Sequence, residues 1–175
     1  MEAFAALDRS DWNAALTFLM ETYGDHVYRH CRHVIGDKDM ADDVHQMVFV
    51  EAYRDLPKFQ RRSSLRTWLY TIARHRCIDA LRTLRKRRAR EQEPVELEID
   101  GHAHVADRSM NAALAKSLAT LPPDTKVAVL LRFQEGLTYE EMSMICDERP
   151  ATLQARVARA LPTLRKWLVE RGVTP

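Results

Sequence analysis

The sequence predicts an all-α protein, and three observations carry that prediction. Only 5 of the 175 residues are glycine, and no stretch alternates apolar and polar residues as a half-buried strand would. Apolar residues instead recur at steps of three and four along several segments, which is the period of a helix with one buried face. Hydrophobic residues make up 46% of the chain, enough to build a core, so general disorder is not expected.

Two helices are predicted in the first third of the chain, each with a recognisable end. Apolar residues at helical spacing predict a first helix over 12–35, which the sequence GDKD ends. Asp39 is the expected N-cap of a second helix over about 40–55, because a short acidic side chain can accept from the free N–H groups there. Met47 belongs to the apolar stripe that this helix is expected to bury, and Pro57 ends the helix.

A long basic helix and a linker are expected next. Ser64 is the expected cap of a helix over about 65–88. Residues 61–90 contain eleven Arg or Lys and one acid. Residues 89–109 show no sustained period and include proline and glycine, so they are predicted to form a flexible linker.

A second helical module is predicted after the linker. Residues 110–121 are expected to form one helix. Asp124 is the expected cap of another helix, over about 125–135, because its short carboxylate can accept from the first N–H groups. Gly136 follows where a C-terminal glycine belongs.

The end of the chain has the pattern of a helix-turn-helix. Thr138 and Glu141 have capping-box spacing, which predicts a short helix over about 139–146. A turn and a longer basic helix from about residue 151 follow, the arrangement that places a helix in a DNA groove. Pro162 lies inside that last helix, so the helix is expected to kink or restart near 160–162.

These segments resemble the extracytoplasmic-function sigma factors, a group of bacterial transcription initiation factors. DMADDVHQMVFVEAYRDLPKF resembles region 2.2 of that family, SSLRTWLYTIARHRCIDALR resembles regions 2.3 and 2.4, and LATLPPDTKVAVLLRFQEGLTYEEMSMI resembles the start of region 4. The blocks occur in the family's order, and the resemblance as a whole covers about residues 14–88 and 112–168. The resemblance implies a region 2 bundle over 1–88, a linker over 89–109 and a region 4 helix-turn-helix over 110–175.

The resemblance implies a factor that binds core RNA polymerase and directs it to a set of promoters, with no catalysis of its own and no cofactor. The first domain would bind and melt the minus-ten element, so it would meet both double- and single-stranded DNA. The second domain would read the minus-thirty-five element. An anti-sigma protein is an expected partner, since such proteins often hold members of this family inactive.

Location is predicted from what the sequence lacks. No apolar run approaches the ~20 residues of a membrane span, so no membrane insertion is expected. The three cysteines are far apart, with no paired spacing. A reducing cytoplasm is therefore the expected compartment.

The acidic start of the second helix suits a basic protein surface rather than DNA. Asp42, Gln46, Phe49 and Tyr53 follow three- and four-residue steps and so share one helical face. The resemblance implies that the partner at this face is the clamp-helices coiled coil of the largest polymerase subunit. The alternative is N-capping by the acids and core packing of Phe49. The expected polymerase-binding residues are Asp39, Asp42, Asp43, Gln46, Phe49 and Tyr53.

The basic segment is expected to hold the melted minus-ten strand. Capturing unstacked bases requires positive charge along the backbone and flat apolar surfaces, and stacking on an aromatic ring is worth ~1–3 kcal/mol per base. Tyr70 is expected at the surface, whereas Trp68 belongs either there or in the core. The resemblance implies that the loop QRRSS helps hold a flipped base. The expected minus-ten residues are Arg61, Arg62, Ser63, Ser64, Arg66, Trp68, Tyr70, Arg74, Arg76 and Arg82.

The expected recognition helix departs from the family's usual pattern. Gln154 stands where a basic residue is usual, and Ala155 stands where a serine is usual. Gln can pair with adenine and Ala can contact a thymine methyl, whereas Arg prefers guanine, so a less guanine-dependent minus-thirty-five sequence is predicted. The expected minus-thirty-five residues are Arg149, Thr152, Gln154, Ala155, Arg156 and Arg159.

Two other functions compete with this interpretation. The first is a helix-turn-helix regulator that does not act as a polymerase subunit, which would need neither the acidic face at 39–53 nor the aromatics at 68–70. The second is a metal-dependent enzyme using His45 with Asp42 and Asp43. No distant histidine or acid completes such a site, so this function is disfavoured.

A weak metal signal lies on the first helix. His26, His30 and His33 share one helical face, and an i, i+4 histidine pair can bind a transition metal. No cysteine or aspartate completes the set, so the alternative is a group of histidines on a helix near solvent.

Overall fold

The computed structural model describes residues 2–91 and 113–170, and within those ranges the chain is helical and contains no strand. The all-α prediction is therefore confirmed. The expected linker falls mostly outside the described residues. None of the described helices is both long and apolar enough to cross a membrane. The elements are α1 (Glu2–Asp8), α2 (Trp12–Ile35), α3 (Lys38–Asp55), a 3₁₀ turn (Leu56–Lys58), α4 (Leu65–Glu91), α5 (residues 113–119), α6 (Pro123–Phe133), α7 (Tyr139–Cys146) and α8 (Pro150–Val169).

The junction of α2 and α3 is shorter than predicted. Gly36 ends α2 in a left-handed conformation (φ 80°), which glycine adopts without steric cost. Asp37 follows in an extended conformation and caps α3, because its Oδ1 accepts a 2.9 Å hydrogen bond from the N–H of Met40. The prediction of Asp39 as the cap is therefore wrong, since Asp39 already lies in the first turn.

The first module, α1 to α4, is a helical bundle. α2, α3 and α4 pack on one another and α1 packs on α2, burying an apolar core that includes Leu19, Val48 and Leu69. Cys31 and Cys77 meet inside this core with their Sγ atoms 3.6 Å apart. Both are free thiols, like the buried Cys146 of the second module.

The helix-turn-helix of the second module forms as the sequence predicts. Thr138 and Glu141 make both bonds of the capping box, and Asp147 turns the chain in a left-handed conformation (φ 53°) before α8. Leu153, on the inner face of α8, is fully buried. This packing fixes which side of α8 points to solvent.

The cap predicted for α6 is wrong. α6 begins at Pro123 after an N-cap at Pro122, so Asp124 lies in the first turn and does not cap it. Proline suits this first helical position because its φ is already helical and it lacks an N–H that would be unpaired. α8 continues through Pro162 to Val169, so the helix does not restart near 160–162, and the kink expected there stays a prediction. Pro162 and Ala158 are both exposed, so water can satisfy the carbonyl that the proline leaves unpaired.

The two modules pack against each other. α4 contacts α6 and α7, and α2 contacts α6. The contact places the start of the basic helix α4 beside the end of α6.

Candidate nucleic-acid interface

The start of α4 presents two faces with different surroundings. Ser64 caps the helix as predicted, since its Oγ accepts a 3.0 Å bond from the N–H of Thr67. Trp68 is half-buried and packs against Phe59, with the ring centroids 5.2 Å apart. Residues 66, 70 and 74 follow four-residue steps and share another face. That second face is the one covered by the second module.

Glu135 is the centre of the covered face. Its side chain is 1% exposed, and its carboxylate accepts hydrogen bonds from the Tyr70 hydroxyl and, at 2.6 Å, from the Gln134 amide. Arg66 donates to the backbone carbonyl of Glu135 and lies 3.7 Å from its carboxylate. Arg66 also stands over the Tyr70 ring, 5.8 Å from its centroid. One buried acid therefore engages two of the predicted minus-ten residues.

Tyr70 is fully buried, so the prediction of a surface tyrosine is wrong in this arrangement. Burial, together with the hydrogen bond to Glu135, raises the pKa of its phenol. The residues around Tyr70 on its own helix give no sign of this burial, because the covering group, Glu135, comes from the turn after α6, 65 residues later in the chain.

Two further polar links join the modules at this face. Arg74 donates to Asp124 at 3.0 Å. Lys126 is buried and donates to the carbonyl of Val34 at 2.9 Å, close to the C-terminal end of α2, where a positive charge is favourable. Burial, and secondarily the charge of Arg85, lowers the pKa of Lys126 to about 8.

The histidines of α2 border the same contact. His30 is fully buried, stands edge-on to Tyr70 at 5.4 Å, and has no hydrogen-bond partner on either ring nitrogen. Burial, with a smaller effect of His33, lowers its pKa to about 3, so the ring is neutral at ordinary pH. His33 hydrogen-bonds Gln134, and His26 lies 3.8 Å from the carboxylate of Glu135. Among the described residues no cluster of three His, Cys, Asp or Glu side chains could hold a metal ion.

The remaining minus-ten candidates are spread around the helix and its preceding loop. Arg61 pairs with Asp8 and stands over the Phe4 ring, 5.4 Å from its centroid. Arg76 pairs with Glu51 and Arg82 with Asp79, the latter at 3.3 Å. Arg62 is exposed, and Ser63 donates to the carbonyl of Ser64 at 3.3 Å.

The outer face of α3 differs from the predicted one by one position of helical phase. Phe49 is buried and packs edge-on against His45, 5.1 Å between centroids, so its placement in an exposed patch is wrong and the alternative, core packing of Phe49, is confirmed. Met47, expected in the core, is 53% exposed, and Val50 is 70% exposed. Relative to the buried positions 41, 44, 48 and 52, positions 47 and 49 lie on opposite flanks of the helix and position 50 lies opposite the core.

The exposed side of α3 combines apolar and polar groups. Tyr53 is 43% exposed, and Asp39, Asp43 and Gln46 also point to solvent. Asp42 is tied to Lys38 by a 2.8 Å bond, which lowers the pKa of the Asp42 carboxyl. We name these exposed side chains the α3 face; the set consists of Asp43, Gln46, Met47, Val50 and Tyr53.

The start of α8 is open to solvent. Arg156 is the exception, because it is half-buried and forms a two-bond pair with Glu148, one bond of 2.7 Å. Arg159 is exposed, and its Nε donates to the carbonyl of Ala155 at 3.1 Å. We name the exposed side chains at the start of this helix the α8 face; the set consists of Arg149, Thr152, Gln154, Ala155 and Arg159.

Sequence reasoning missed Glu135 and Lys126, although each carried a signal. Glu135 follows the C-terminal end of α6, where the helix dipole disfavours an acid. Lys126 opens the apolar run VAVLL. Both anomalies are explained by groups of the first module, which supply positive charge to Glu135 and a carbonyl to Lys126.

Comparison with known proteins places both modules. The family model described as Sigma-70 region 2 matches residues 19–88, and the one described as Sigma-70, region 4 matches residues 111–164. The chain is 36% identical to the ECF RNA polymerase sigma factor SigC of Mycobacterium tuberculosis, over 74% of this chain and 71% of that protein. It is 28% identical to the ECF RNA polymerase sigma-E factor of Haemophilus influenzae, over 92% and 88% of the two chains.

Two solved structures share the fold. The sigma factor RpoE in complex with the anti-sigma factor NepR, from Bartonella quintana, has a TM-score of 0.70 at 23% identity, covering 87% of this chain and 95% of that one. CnrH in complex with the cytosolic domain of CnrY has a TM-score of 0.70 at 21% identity, covering 90% of each chain.

Proposed function

This chain belongs to the extracytoplasmic-function sigma factors of the sigma-70 family, which direct RNA polymerase to particular promoters, and we propose how its surfaces divide that work. We assign polymerase binding and minus-ten recognition to region 2, residues 1–88. We assign minus-thirty-five recognition to region 4, residues 110–175. The surfaces are the α3 face, the start of α4 and the α8 face.

The α3 face is proposed to dock on core RNA polymerase. Met47, Val50 and Tyr53 are large apolar or aromatic side chains held in water, and Asp43 lies on the same side. An apolar centre with an acidic edge fits a protein partner with a basic rim. With Phe49 buried, Met47 and Val50 replace it as the expected centre of contact.

The start of α4 and the loop before it are proposed to hold the melted minus-ten strand. Arg62 and the other basic residues supply charge for the backbone, and Trp68 and Tyr70 supply flat surfaces for bases. Arg66 and Tyr70 reach a strand only when Glu135 has left them. The minus-ten function therefore requires the two modules to separate.

The α8 face is proposed to read the minus-thirty-five element in the major groove. Gln154 and Ala155 face solvent at the start of the helix, the position from which a recognition helix meets base edges. Gln154 would pair with adenine. Arg149 and Arg159 are placed to contact phosphates on either side.

Partners and setting follow from the family. The proposed partners are core RNA polymerase, promoter DNA and an anti-sigma protein of the kind bound by the RpoE of Bartonella quintana. The protein is proposed to act in the cytoplasm without catalytic chemistry of its own.

One observation carries this proposal: the α3 face exposes large apolar side chains in a chain that also exposes a recognition helix, α8. A helix-turn-helix regulator acting alone would not need an exposed apolar contact surface on the other module, where Val50 is 70% exposed.

Run-off transcription tests the proposal. The protein is mixed with bacterial core RNA polymerase and fragmented DNA of its source genome, and transcript 5′ ends are mapped. Discrete starts that share a two-part upstream motif are expected, with a minus-thirty-five half that depends little on guanine. Absence of both core binding and discrete starts would leave the plain DNA-binding regulator as the better interpretation.

A matched pair of variants tests the α3 face. Val50→Asp places a charge in its apolar centre and is expected to weaken core polymerase binding at least about tenfold, as for an interface hot spot. Val169→Asp makes the same change at a valine that is 49% exposed near the end of α8 and is expected to leave core binding unchanged. Duplex DNA binding should survive Val50→Asp. Equal core binding by both variants would remove the α3 face from the proposal.

A further inference from the structure

The loop that precedes α4 is attached to the first module at three places. At its start Phe59 packs on Trp68, and at its end the hydroxyl of Ser64 caps α4. Between these two, the guanidinium of Arg61 donates to the carboxylate of Asp8 in α1. The first two attachments are made by near neighbours in the chain, whereas Asp8 comes 53 residues before Arg61. The third attachment therefore makes α1 part of the loop's surroundings.

Arg61 has an uncommon backbone conformation at the centre of this loop. Its φ is 55°, in the left-handed region that few residues other than glycine adopt. Such a conformation costs free energy and persists only where the surrounding structure fixes it. Two side chains of α1 supply that fixation: Asp8 pairs with the guanidinium, and the centre of the Phe4 ring lies 5.4 Å from the guanidinium carbon.

α1 is well placed to hold the loop, because it is itself anchored. Ala6 and Leu7 are buried in the apolar core of the module. The N–H of Asp11 donates to the carbonyl of Ala6 at 2.9 Å, which closes the turn into α2. Phe4 and Asp8 are four positions apart and both exposed, so they share the outer face of α1. The helix therefore presents them to the loop from a fixed position.

The exposed acid is unexpected on a surface proposed to bind a DNA strand. The side chain of Asp8 is 64% exposed and lies beside Arg61. A carboxylate in that place repels phosphate and occupies the arginine that would otherwise bind it. Arg62, the next residue of the loop, points to solvent. The two neighbouring arginines are therefore suited to different tasks.

We propose that α1 belongs to the minus-ten site: Asp8 and Phe4 position Arg61, and Arg61 sets the shape in which the loop receives the flipped base. Arg61 is then a positioning residue, and Arg62 is the residue that meets a phosphate. This inference rests on the proposed minus-ten role of the loop. A loop that is already shaped needs less ordering when the strand binds, which favours capture of the base.

Three single variants separate the side chain of Arg61 from its backbone. Asp8→Asn removes the charge that pairs with Arg61 and keeps the shape of the side chain. Asp25→Asn makes the same change at an exposed acid of α2 in the same module and is the matched control. Arg61→Gly retains the left-handed backbone, which glycine adopts without steric cost, and removes both contacts with α1.

A charge swap separates positioning from direct contact with DNA. Asp8→Arg combined with Arg61→Asp restores the ion pair with its polarity reversed, and aspartate tolerates the left-handed conformation better than most residues. A pair that positions the loop is rescued by this swap. A phosphate contact of Arg61 is not rescued, because an acid then stands at position 61.

The main readout is binding of the holoenzyme to a fluorescent single-stranded oligonucleotide with the non-template minus-ten sequence mapped by run-off transcription. Its dissociation constant is compared with that of oligonucleotides made abasic at one position at a time, and the position where the parent loses most affinity is the flipped base. The ratio of the two constants reports capture of the base, because both oligonucleotides keep their phosphates.

The expected ratios follow from the proposed roles. Asp8→Asn and Arg61→Gly should lower the ratio about threefold to fivefold, the upper range for a partly exposed ion pair. Asp25→Asn should keep the parent's ratio, and the charge swap should recover most of it. Arg62→Ala should weaken binding of both oligonucleotides equally and so leave the ratio unchanged.

The second readout is the order of the loop in the free protein. Backbone order parameters from ¹⁵N relaxation report motion on the ps–ns timescale. We expect values for residues 60–63 to be lower in Asp8→Asn than in the parent and in Asp25→Asn. Equal values in all three proteins would overturn the role of α1, because the loop would then keep its shape without Asp8.

The outcomes separate this inference from the proposed function. A parent ratio in Asp8→Asn, or a charge swap as defective as Arg61→Gly, also overturns the positioning role. A parent holoenzyme that gives no discrete run-off starts overturns the proposed function instead. In that case the order parameters of the free protein still decide whether Asp8 shapes the loop.

Discussion

The two surfaces proposed to bind DNA differ in what covers them. On α8, Gln154 and Arg159 are exposed. On α4, Tyr70 is buried and Arg66 is partly covered, because Glu135 of the second module engages both. Both helices are rich in Arg, so positive charge alone does not distinguish them. What distinguishes them is whether their side chains are already bonded to an acidic residue from another part of the chain, as Arg66 and Tyr70 are to Glu135.

The largest effect is expected from truncating Leu153, the buried side chain that holds the exposed face of α8 in place. Leu153 is fully buried on the inner side of α8, and Leu153→Ala should lower the free energy of unfolding by about 2–5 kcal/mol through lost burial and a cavity. Denaturation in urea measures this loss. Duplex minus-thirty-five binding should fall with it, whereas single-stranded minus-ten binding should rise, because the module that supplies Glu135 is loosened.

Gln154→Ala is the matched control for Leu153→Ala. Gln154 neighbours Leu153 but points to solvent, so stability should change by about 0.5 kcal/mol at most while minus-thirty-five reading weakens. Parallel losses of stability in the two variants would mean that the exposed and buried sides of α8 have been assigned wrongly.

An intermediate effect is expected from lowering the pH, which should reduce the free energy of unfolding through His30, next to Tyr70 on the covered face of α4. His30 is buried beside Tyr70 and has a pKa of about 3, below the ordinary value of 6.5. The folded chain therefore binds its proton less tightly than the unfolded chain does. The stability due to neutral His30 is fully present above about pH 6.5 and is lost progressively as the pH falls towards 3. Between pH 7 and pH 5 the loss is about 2 kcal/mol.

The measurement is urea unfolding at the two pH values. His30→Phe keeps an aromatic ring against Tyr70 and removes the titrating group, so the variant should lose most of this pH dependence. His75→Gln changes an exposed histidine of α4 and should keep it. An unchanged pH dependence in His30→Phe would show that some other group carries the acid sensitivity.

Periodicity predicted the elements well because helical spacing and capping are local. Thr138 and Ser64 cap as expected. Phase was less certain: Met47 and Phe49 are two positions apart, and their burial is decided by which neighbour packs on α3, not by hydrophobicity. The sequence alone therefore left open whether Phe49 lies in the patch or in the core, and it wrongly assigned Met47 to the buried stripe.

The covered surface could not be predicted from local patterns at all. Tyr70 and Glu135 are 65 residues apart, and nothing in either segment encodes their distance. Only the unfavourable position of Glu135 after a helix C-terminus hinted that a distant positive group was needed. Long-range polar contacts of this kind have no period, and so reading along the chain cannot find them.

The smallest effect is expected from two arginines of α8 that repeat the main contrast within one helix. Arg156 is paired with Glu148, and both side chains are about one quarter exposed (23% and 24%), whereas Arg159 is exposed. Arg156→Ala should lower the free energy of unfolding by about 0.5–1 kcal/mol, as for a partly exposed ion pair, with little effect on DNA binding. Arg159→Ala should leave stability unchanged, weaken minus-thirty-five duplex binding and lower the magnitude of its salt dependence by about one unit. Thermal unfolding and DNA titrations at several salt concentrations measure the two quantities. Should Arg156→Ala prove the stronger DNA-binding defect, Glu148 would resemble Glu135, an acid that DNA displaces, and the open surface would be partly covered as well.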